Sequence, residues 1–181
     1  GRSEFCWASL DSARVGNDYN SMPIFVKVGE KFYLKDCLYL NEPMEKVYVQ
    51  IVDKIIQHQI TKLVIEKNID VSLKALLDKM LLERGSSFCE IIEVYAVVKK
   101  EEKIYNMENT IKNCIMFPNL HLFSYSSQMG KFMNDVFAFS YTHKNEHDDS
   151  IDSIATFCQR LIVAPMKKTK AIKMAFYGML V

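Results

Sequence analysis

The chain has 181 residues, the size of one ordinary domain. Its 23 lysines and arginines nearly balance 22 aspartates and glutamates, which excludes a histone-like polycation and an acidic tail protein. Any contact with nucleic acid must therefore come from local patches. No apolar run reaches the roughly 18 residues of a membrane span, and the five cysteines are too widely spaced for a CxxC or CxxH metal motif.

Three strands are predicted at the start of the chain. The first covers residues 4–10 and ends at Asp11, and a turn-rich segment follows it. Two more cover residues 22–28 and 31–40, joined by a Gly-Glu turn. Three strands in a row with short connections predict an antiparallel meander.

Helices then alternate with strands, because the hydrophobic period changes to that of a helix. Helices are predicted over residues 43–58, 72–84, 99–115, 127–139 and 151–163. Extended segments are predicted over residues 63–65, 88–98, 115–118 and 120–122. The alternation of helix and strand predicts that the later strands run parallel.

Four acidic residues are placed where a ligand site forms in such a sheet. Asp11 ends the first strand, and Glu66 ends the strand after the first long helix. Asp149 and Asp152 open the last helix and share one face. Strand ends and helix starts gather at one rim of an α/β sheet, and clustered carboxylates suit Mg²⁺ or Mn²⁺.

Each of these residues also has a structural interpretation. Asp11 suits a turn, and Glu66 suits a solvated strand end. Asp149 suits a helix N-cap, with Asp148 beside it interacting with the helix dipole. The order of the elements nevertheless resembles the ribonuclease H-like fold. That resemblance implies an α/β protein with a mixed sheet of five or more strands, antiparallel in its first three, and helices on both faces.

Four segments, in order, resemble the nuclease domain of phage terminase large subunits. Residues 11–19 resemble its D-x-A…G-x-D opening, and residues 64–68 resemble two hydrophobic residues followed by E-x-N. Residues 99–118 resemble a lysine-led helix that runs into I-x-F-P. Residues 147–155 resemble H-D-D-x-x-D-A-L-A, the most specific of the four. The resemblance assigns residues 1–165 to the nuclease domain and leaves 166–181 as a basic C-terminal tail.

The resemblance implies a metal-dependent endonuclease that cuts double-stranded viral DNA during genome packaging. It implies that Asp11, Glu66 and Asp149 are catalytic and hold two Mg²⁺ or Mn²⁺ ions, with Asp152 as a further ligand. Whether Asp149 or Asp152 is the main third ligand stays open, since related resolvases carry a D-x-x-D pair on this helix. Supporting roles beside the ligands fall to three residues, namely Asp148, Asp18 and His147.

Several lysines are candidates for contacts with DNA phosphates. The first candidates are Lys67, Lys99, Lys100 and Lys131, and the further ones are Lys103, Lys144 and the lysines of 167–173. The alternative for each is a solvated surface lysine. Phosphate contacts would give little sequence preference and a steep salt dependence.

The implied partners are double-stranded DNA, a packaging ATPase domain, the small terminase subunit and the portal, in the host cytoplasm of a phage or prophage. No GxxxxGK[ST] loop is present and the chain opens with Gly-Arg-Ser, so we expect the ATPase to lie outside these 181 residues. We expect no membrane partner and a monomeric domain. Two other hypotheses stay open: a resolvase- or transposase-like nuclease, and a non-catalytic module that docks on DNA or the packaging motor.

Overall fold

A mixed sheet between two layers of helices forms the domain in the computed structural model, which describes residues 5–12, 18–67, 73–96 and 98–164. The strands are β1 (Cys6–Leu10), β2 (Asn20–Val28), β3 (Lys31–Leu40), β4 (Ile60–Lys67), β5 (Glu90–Tyr95) and β6 (Ile115–Met116). The helices are α1 (Met44–His58), α2 (Leu73–Glu83), α3 (Lys100–Cys114), α4 (Gln128–Ala138) and α5 (Asp149–Phe157). The predicted tail lies outside the described residues.

The sheet has six strands in the order β5-β4-β1-β2-β3-β6. The pairs β1–β2 and β2–β3 are antiparallel, whereas β1–β4, β4–β5 and β3–β6 are parallel. This confirms the predicted meander and the predicted parallel strands. In the register of β1 and β4, Leu10 lies opposite Ile65. The residues that follow them, Asp11 and Glu66, therefore reach the same rim.

Helices cover both faces of the sheet, as predicted. Helices α1 and α2 pack on one core, which contains Leu10, Ile51 and Leu77. Helices α3, α4 and α5 pack on the other core, around Phe25 and Phe157. Because both faces are covered, β1 and β2 are buried along most of their length. Within the described residues, none of the helices has the length and the apolar character that crossing a membrane requires.

Several predicted elements were wrong in their bounds or type; among them, the predicted strand 88–98 is shorter and covers Glu90–Tyr95. Strand β4 runs over Ile60–Lys67, because it pairs along its length with β1 and β5, so Glu66 lies inside the strand. Residues 120–122 form a 3₁₀ turn, stabilised where Asn119 accepts a hydrogen bond from the His121 N–H (3.0 Å). Helix α5 begins at Asp149, before the predicted start, because buried polar residues form its first turn. It continues as a π-helix over Cys158–Val163.

Gly130 lies where α4 meets the preceding loop. The Gly130 N–H donates to Ser127 Oγ (3.0 Å), which caps the helix, and Ser127 Oγ donates to the Ser124 carbonyl oxygen (2.6 Å). A Cβ atom on Gly130 would lie 2.0 Å from that carbonyl oxygen. Glycine is therefore needed here for close packing of the backbone.

We predict that Gly130→Ala lowers the free energy of unfolding by about 1–3 kcal/mol, since the carbonyl that it meets is held by the turn. Urea denaturation measures the change. The control is Lys131→Ala at the next, exposed position, which should change stability by less than about 0.5 kcal/mol. Equal stability of Gly130→Ala and the wild type would contradict this reason for the glycine.

Candidate active site

Five carboxylates from three elements meet at the rim where β1 and β4 end, and we call them the acidic cluster. Its members are Asp11, Glu66, Asp148, Asp149 and Asp152. Two lysines of α3 lie among them, one turn apart, namely Lys100 and Lys103. The structure therefore brings together all four acidic residues that the sequence singled out, together with Asp148.

Lys100 is shared by four carboxylates. Its Nζ lies 2.7 Å from Asp148 Oδ1 and 2.9 Å from Asp149 Oδ1. The same nitrogen lies 3.9 Å from Asp11 Oδ2 and 3.9 Å from Asp152 Oδ2. Burial disfavours the charged lysine, but the hydrogen bond to Asp148 and the charges of Asp11 and Asp149 raise the pKa of Lys100 above its ordinary value. Lys100 is thus held as a cation at the centre of the cluster.

Lys103 is buried and links Glu66 on β4 to α5. It is only 3% exposed, and its Nζ lies 2.6 Å from Glu66 Oε2 and 2.8 Å from Asp152 Oδ1. It also donates to Thr156 Oγ1 (2.9 Å), and the Thr156 hydroxyl donates to Glu66 Oε2 (3.0 Å). A buried ammonium group needs such partners, because leaving it unpaired would cost several kcal/mol. Glu66 is therefore fixed by two donors.

Serines hold α5 directly against the sheet. Ser9 Oγ donates to the Ser153 carbonyl oxygen (2.7 Å), and the hydroxyls of Ser21 and Ser153 share a hydrogen bond of 2.8 Å. Ser153 Oγ also donates to the Ser150 carbonyl oxygen (2.8 Å). These small side chains let the helix approach β1 and β2 closely. The approach places both aspartates of α5 beside the end of β1.

Asp149 is oriented by a main-chain donor. The Tyr19 N–H donates to Asp149 Oδ2 (3.0 Å), which leaves Oδ1 toward Lys100. The Tyr19 ring stacks on Tyr39, with centroids 4.3 Å apart, and meets the edge of His147 at 5.0 Å. The sequence did not point to Tyr19, because a backbone N–H carries no residue-type signal. His147 contacts this ring rather than the carboxylates of the cluster.

The cluster is short of positive charge. Burial, together with the charge of Asp152, raises the pKa of Asp11 to about 7, although Lys100 opposes the shift. Burial likewise raises the pKa of Asp152 to about 6 against the charge of Lys103, with Glu66 adding to the rise. Among the described residues, five carboxylates face two ammonium groups, so three negative charges remain uncompensated there when all groups are ionised.

This donor set has the chemistry that a hard divalent cation needs. Carboxylate oxygens are the preferred ligands of Mg²⁺ and Mn²⁺, and an added cation would supply the missing charge. As the side chains stand, no three His, Cys, Asp or Glu residues in the described ranges are arranged to hold a metal ion. Lys100 contacts the same oxygens instead. A divalent ion would therefore compete with Lys100, whose side chain is 31% exposed and has room to move outward.

The remaining predicted residues are spread around this site. Asp18, Lys99 and Lys131 are exposed, while Lys100 lies inside the cluster. Lys103, a further candidate for DNA contact, is buried against Glu66. The side chain of Lys67 and the lysines of 167–173 lie outside the described residues.

Comparison with known families gives one match. A family model described as "Terminase Bacteriophage T7, Ribonuclease H-like domain" matches residues 10–114. The matched region contains Asp11, Glu66 and the two lysines of α3. No curated protein matches the chain.

Solved structures with a similar fold include three viral proteins. The nuclease domain of human cytomegalovirus terminase, soaked with Mn and inhibitor-bound, is 12% identical, with a TM-score of 0.55 over 85% of this chain and 82% of that one. The large terminase nuclease of thermophilic phage G20c with bound zinc is 12% identical, with a TM-score of 0.58 over 87% and 82%. The Holliday junction resolvase of fowlpox virus is 11% identical, with a TM-score of 0.52 over 87% and 100%. These similarities confirm the ribonuclease H-like fold.

We predict that Asp11→Asn stabilises the metal-free protein in a pH-dependent way. Folding raises the pKa of Asp11 from a value near 4 in the unfolded chain to about 7. The contribution of Asp11 to the free energy of unfolding is therefore fully present below about pH 4, and it is lost as the pH rises through about 7. Asparagine carries no charge, so the variant should gain on the order of 1–3 kcal/mol over the wild type at pH values above 7 and little at acid pH.

Urea denaturation in EDTA across this pH range measures the difference. The control is Asp53→Asn on α1, an exposed carboxylate paired with Arg84, whose effect on stability should stay small. A difference between Asp11→Asn and the wild type that is constant with pH would contradict the assignment.

We also predict that Lys100→Met strengthens binding of divalent metal. Removing the competing cation should raise Mn²⁺ affinity about tenfold, whereas the metal-free protein should melt at a lower temperature, because its carboxylates lose a shared partner. Calorimetric titration and thermal melting measure the two effects. Lys99→Met, at the adjacent exposed position, is the matched control and should leave both unchanged. An unaltered Mn²⁺ affinity in Lys100→Met would exclude the competition.

Proposed function

This chain belongs to the ribonuclease H-like domain family of bacteriophage T7 terminase, and from that premise we propose that it is a divalent-metal-dependent endonuclease that cuts double-stranded viral DNA during genome packaging. The observation that carries the proposal is the acidic cluster itself. Asp11, Glu66 and the aspartates of α5 come from distant parts of the chain, yet all of them lie around the two lysines of α3. A structural role alone does not require so many carboxylates in one place.

We assign the metal ligands as Asp11, Glu66, Asp149 and Asp152, holding two Mg²⁺ or Mn²⁺ ions. When bound, such ions lower the pKa of an attacking water and stabilise the leaving 3′ oxygen of a phosphodiester. The residues around the ligands would hold them in position. The Tyr19 N–H fixes Asp149, and the Thr156 hydroxyl fixes Glu66.

The lysine contacts support a division of the ligands into two groups. Lys100 lies nearest to Asp148 and Asp149, with Asp11 and Asp152 both at 3.9 Å, whereas Lys103 joins Glu66 to Asp152. We therefore propose that Asp149 and Asp152 are both ligands, each serving a different ion. This is our proposal for the question that the D-x-x-D spacing left open.

We propose that DNA is held mainly through its phosphates. Lys99 and Lys131 are exposed and free of the acidic cluster, which suits them to this role. Lys67 follows Glu66 directly in the sequence and is a further candidate. Contacts of this kind position a duplex without specifying its sequence, and they weaken steeply with salt.

In the packaging reaction we propose that the domain acts in the host cytoplasm as part of a terminase large subunit. Its partners would be the packaging ATPase domain, the small terminase subunit and the portal. Membership of the terminase family supports this setting over a resolvase, since the similarity to the fowlpox resolvase concerns the fold alone.

Cleavage of supercoiled plasmid in Mn²⁺, Mg²⁺ or EDTA tests the proposal. We expect metal-dependent linearisation and smearing, which Asp149→Ala should reduce at least roughly 100-fold, because the variant loses a metal ligand. Asp53→Ala, which removes an exposed aspartate on α1, is the matched control and should cut like the wild type.

Two results would overturn the proposal in different ways. Cleavage of a four-way junction without cleavage of linear or plasmid DNA would favour a resolvase. Failure to cut any of these substrates, with no Mn²⁺ binding in calorimetry, would favour a docking module.

A further inference from the structure

A second candidate site lies at the end of the sheet away from the acidic cluster. It is a cavity of about 610 Å³, which we call the basic cavity, and its lining includes Trp7, Lys27, Lys31, Phe32, Lys62 and Leu161. Trp7 and Lys62 lie near the starts of β1 and β4, whereas Asp11 and Glu66 lie where these strands end. Asp11 lies four positions after Trp7 along the strand, a distance of about 13 Å. The two sites are therefore separate.

Two ammonium groups of the cavity share one indole ring. Lys27 Nζ lies 5.4 Å and Lys62 Nζ 5.0 Å from the Trp7 ring centroid. Lys62 is the register partner of Trp7 on β4, and Lys27 comes from β2 on the other side of β1. Neither lysine forms an ion pair with any described residue. Both ammonium groups add positive charge around one ring, so an anion bound in this cavity would be stabilised.

The other residues that line the basic cavity indicate which chemical class of ligand it would bind. Lys31 adds a third cation, and Glu30 is the acid among the described lining residues. The remaining lining includes Asn113, and Phe32, Leu161 and Ile162 form an apolar wall. A bare cation would be repelled here, and a purely apolar molecule would leave the ammonium groups unpaired. The volume lies within the roughly 300–1,000 Å³ of small-molecule sites.

We propose that the basic cavity binds a phosphorylated nucleoside, with its phosphate at Lys27 and Lys62 and its base against the apolar wall. A negative group and a flat aromatic ring in one molecule match the two kinds of lining. The ligand has two possible sources, a free nucleotide or an unpaired nucleotide of a DNA strand. The proposal does not depend on cleavage at the acidic cluster.

The single tryptophan of the chain lies at this cavity, so its fluorescence reports binding directly. The full chain is titrated in EDTA, which prevents metal-dependent cleavage, with deoxythymidine monophosphate, a short oligothymidylate or inorganic phosphate. Calorimetry in parallel detects binding that leaves the fluorescence unchanged. We expect saturable binding of the mononucleotide or the oligonucleotide, at least about tenfold tighter than that of phosphate.

Matched variants assign the binding to the cavity. Lys27→Met and Lys62→Met should each weaken nucleotide binding about tenfold or more, because each removes one ammonium group. Lys62→Arg keeps the positive charge and should retain most of the wild-type affinity. Lys46→Met, at an exposed lysine of α1, should bind like the wild type. Saturation by the mononucleotide identifies a free nucleotide as sufficient, whereas binding of the oligonucleotide alone identifies a DNA strand.

Three results would overturn the proposal. They are the absence of saturable binding by both methods, unchanged affinity in the two methionine variants, and equal affinity for phosphate and nucleotide. The last would leave a simple anion site. Because metal is absent throughout, a negative result in the cleavage assay has no bearing on these outcomes.

Discussion

The arrangement of this domain depends on how two ammonium groups are shared among five carboxylates. Lys100 and Lys103 come from one face of α3, whereas the carboxylates come from the end of β1, from β4 and from α5. Without the lysines, the buried aspartates of α5 would repel Asp11 and Glu66 in a region of low dielectric. The pairing of these lysines with the carboxylates therefore fixes where α3 packs, because its first two turns must lie against the edge of the sheet where the carboxylates meet. Desolvation of the buried charges offsets much of their attraction, whereas loss of either lysine would leave buried carboxylates unpaired.

In helix α5, too, buried polar side chains take positions that hydrophobic residues usually occupy. Its first turns bury Asp149, Asp152 and Ser153, where an apolar helix would bury leucine or isoleucine. Hydrogen bonds from Ser9 and Ser21 replace the hydrophobic contacts that these positions forgo. At the end of the helix, Phe157 packs against Phe25 in the apolar core. The helix thus combines buried carboxylates at the rim with apolar side chains that anchor it in the core, which is the pattern expected where function overrides local consistency.

The difference between apolar and polar buried residues also explains which parts of the structure could be predicted from the sequence. Element order, the antiparallel meander and the convergence of Asp11 and Glu66 follow from hydrophobic period and parallel topology, because these depend on local patterns. The start of α5 was misplaced, since the pattern counts apolar residues and its first turn is polar but buried. Lys100 and Lys103 suggested an exposed, DNA-facing helix start. Only the tertiary structure shows that carboxylates distant in the sequence surround them.

The near-zero net charge of the chain conceals a polarised molecule. The acidic cluster lies at one end of β1, and three lysines surround the basic cavity at the other, so an overall balance of 23 cations and 22 anions coexists with two opposite local fields. An anionic duplex is repelled from the acidic rim for as long as the excess carboxylate charge remains. On the proposed function, divalent ions would reverse the sign of that rim, since a bound ion is the largest local charge. Metal would then govern the approach of DNA to this site as well as the chemistry performed there. Lys100, which already neutralises part of the cluster, would set how readily that reversal occurs.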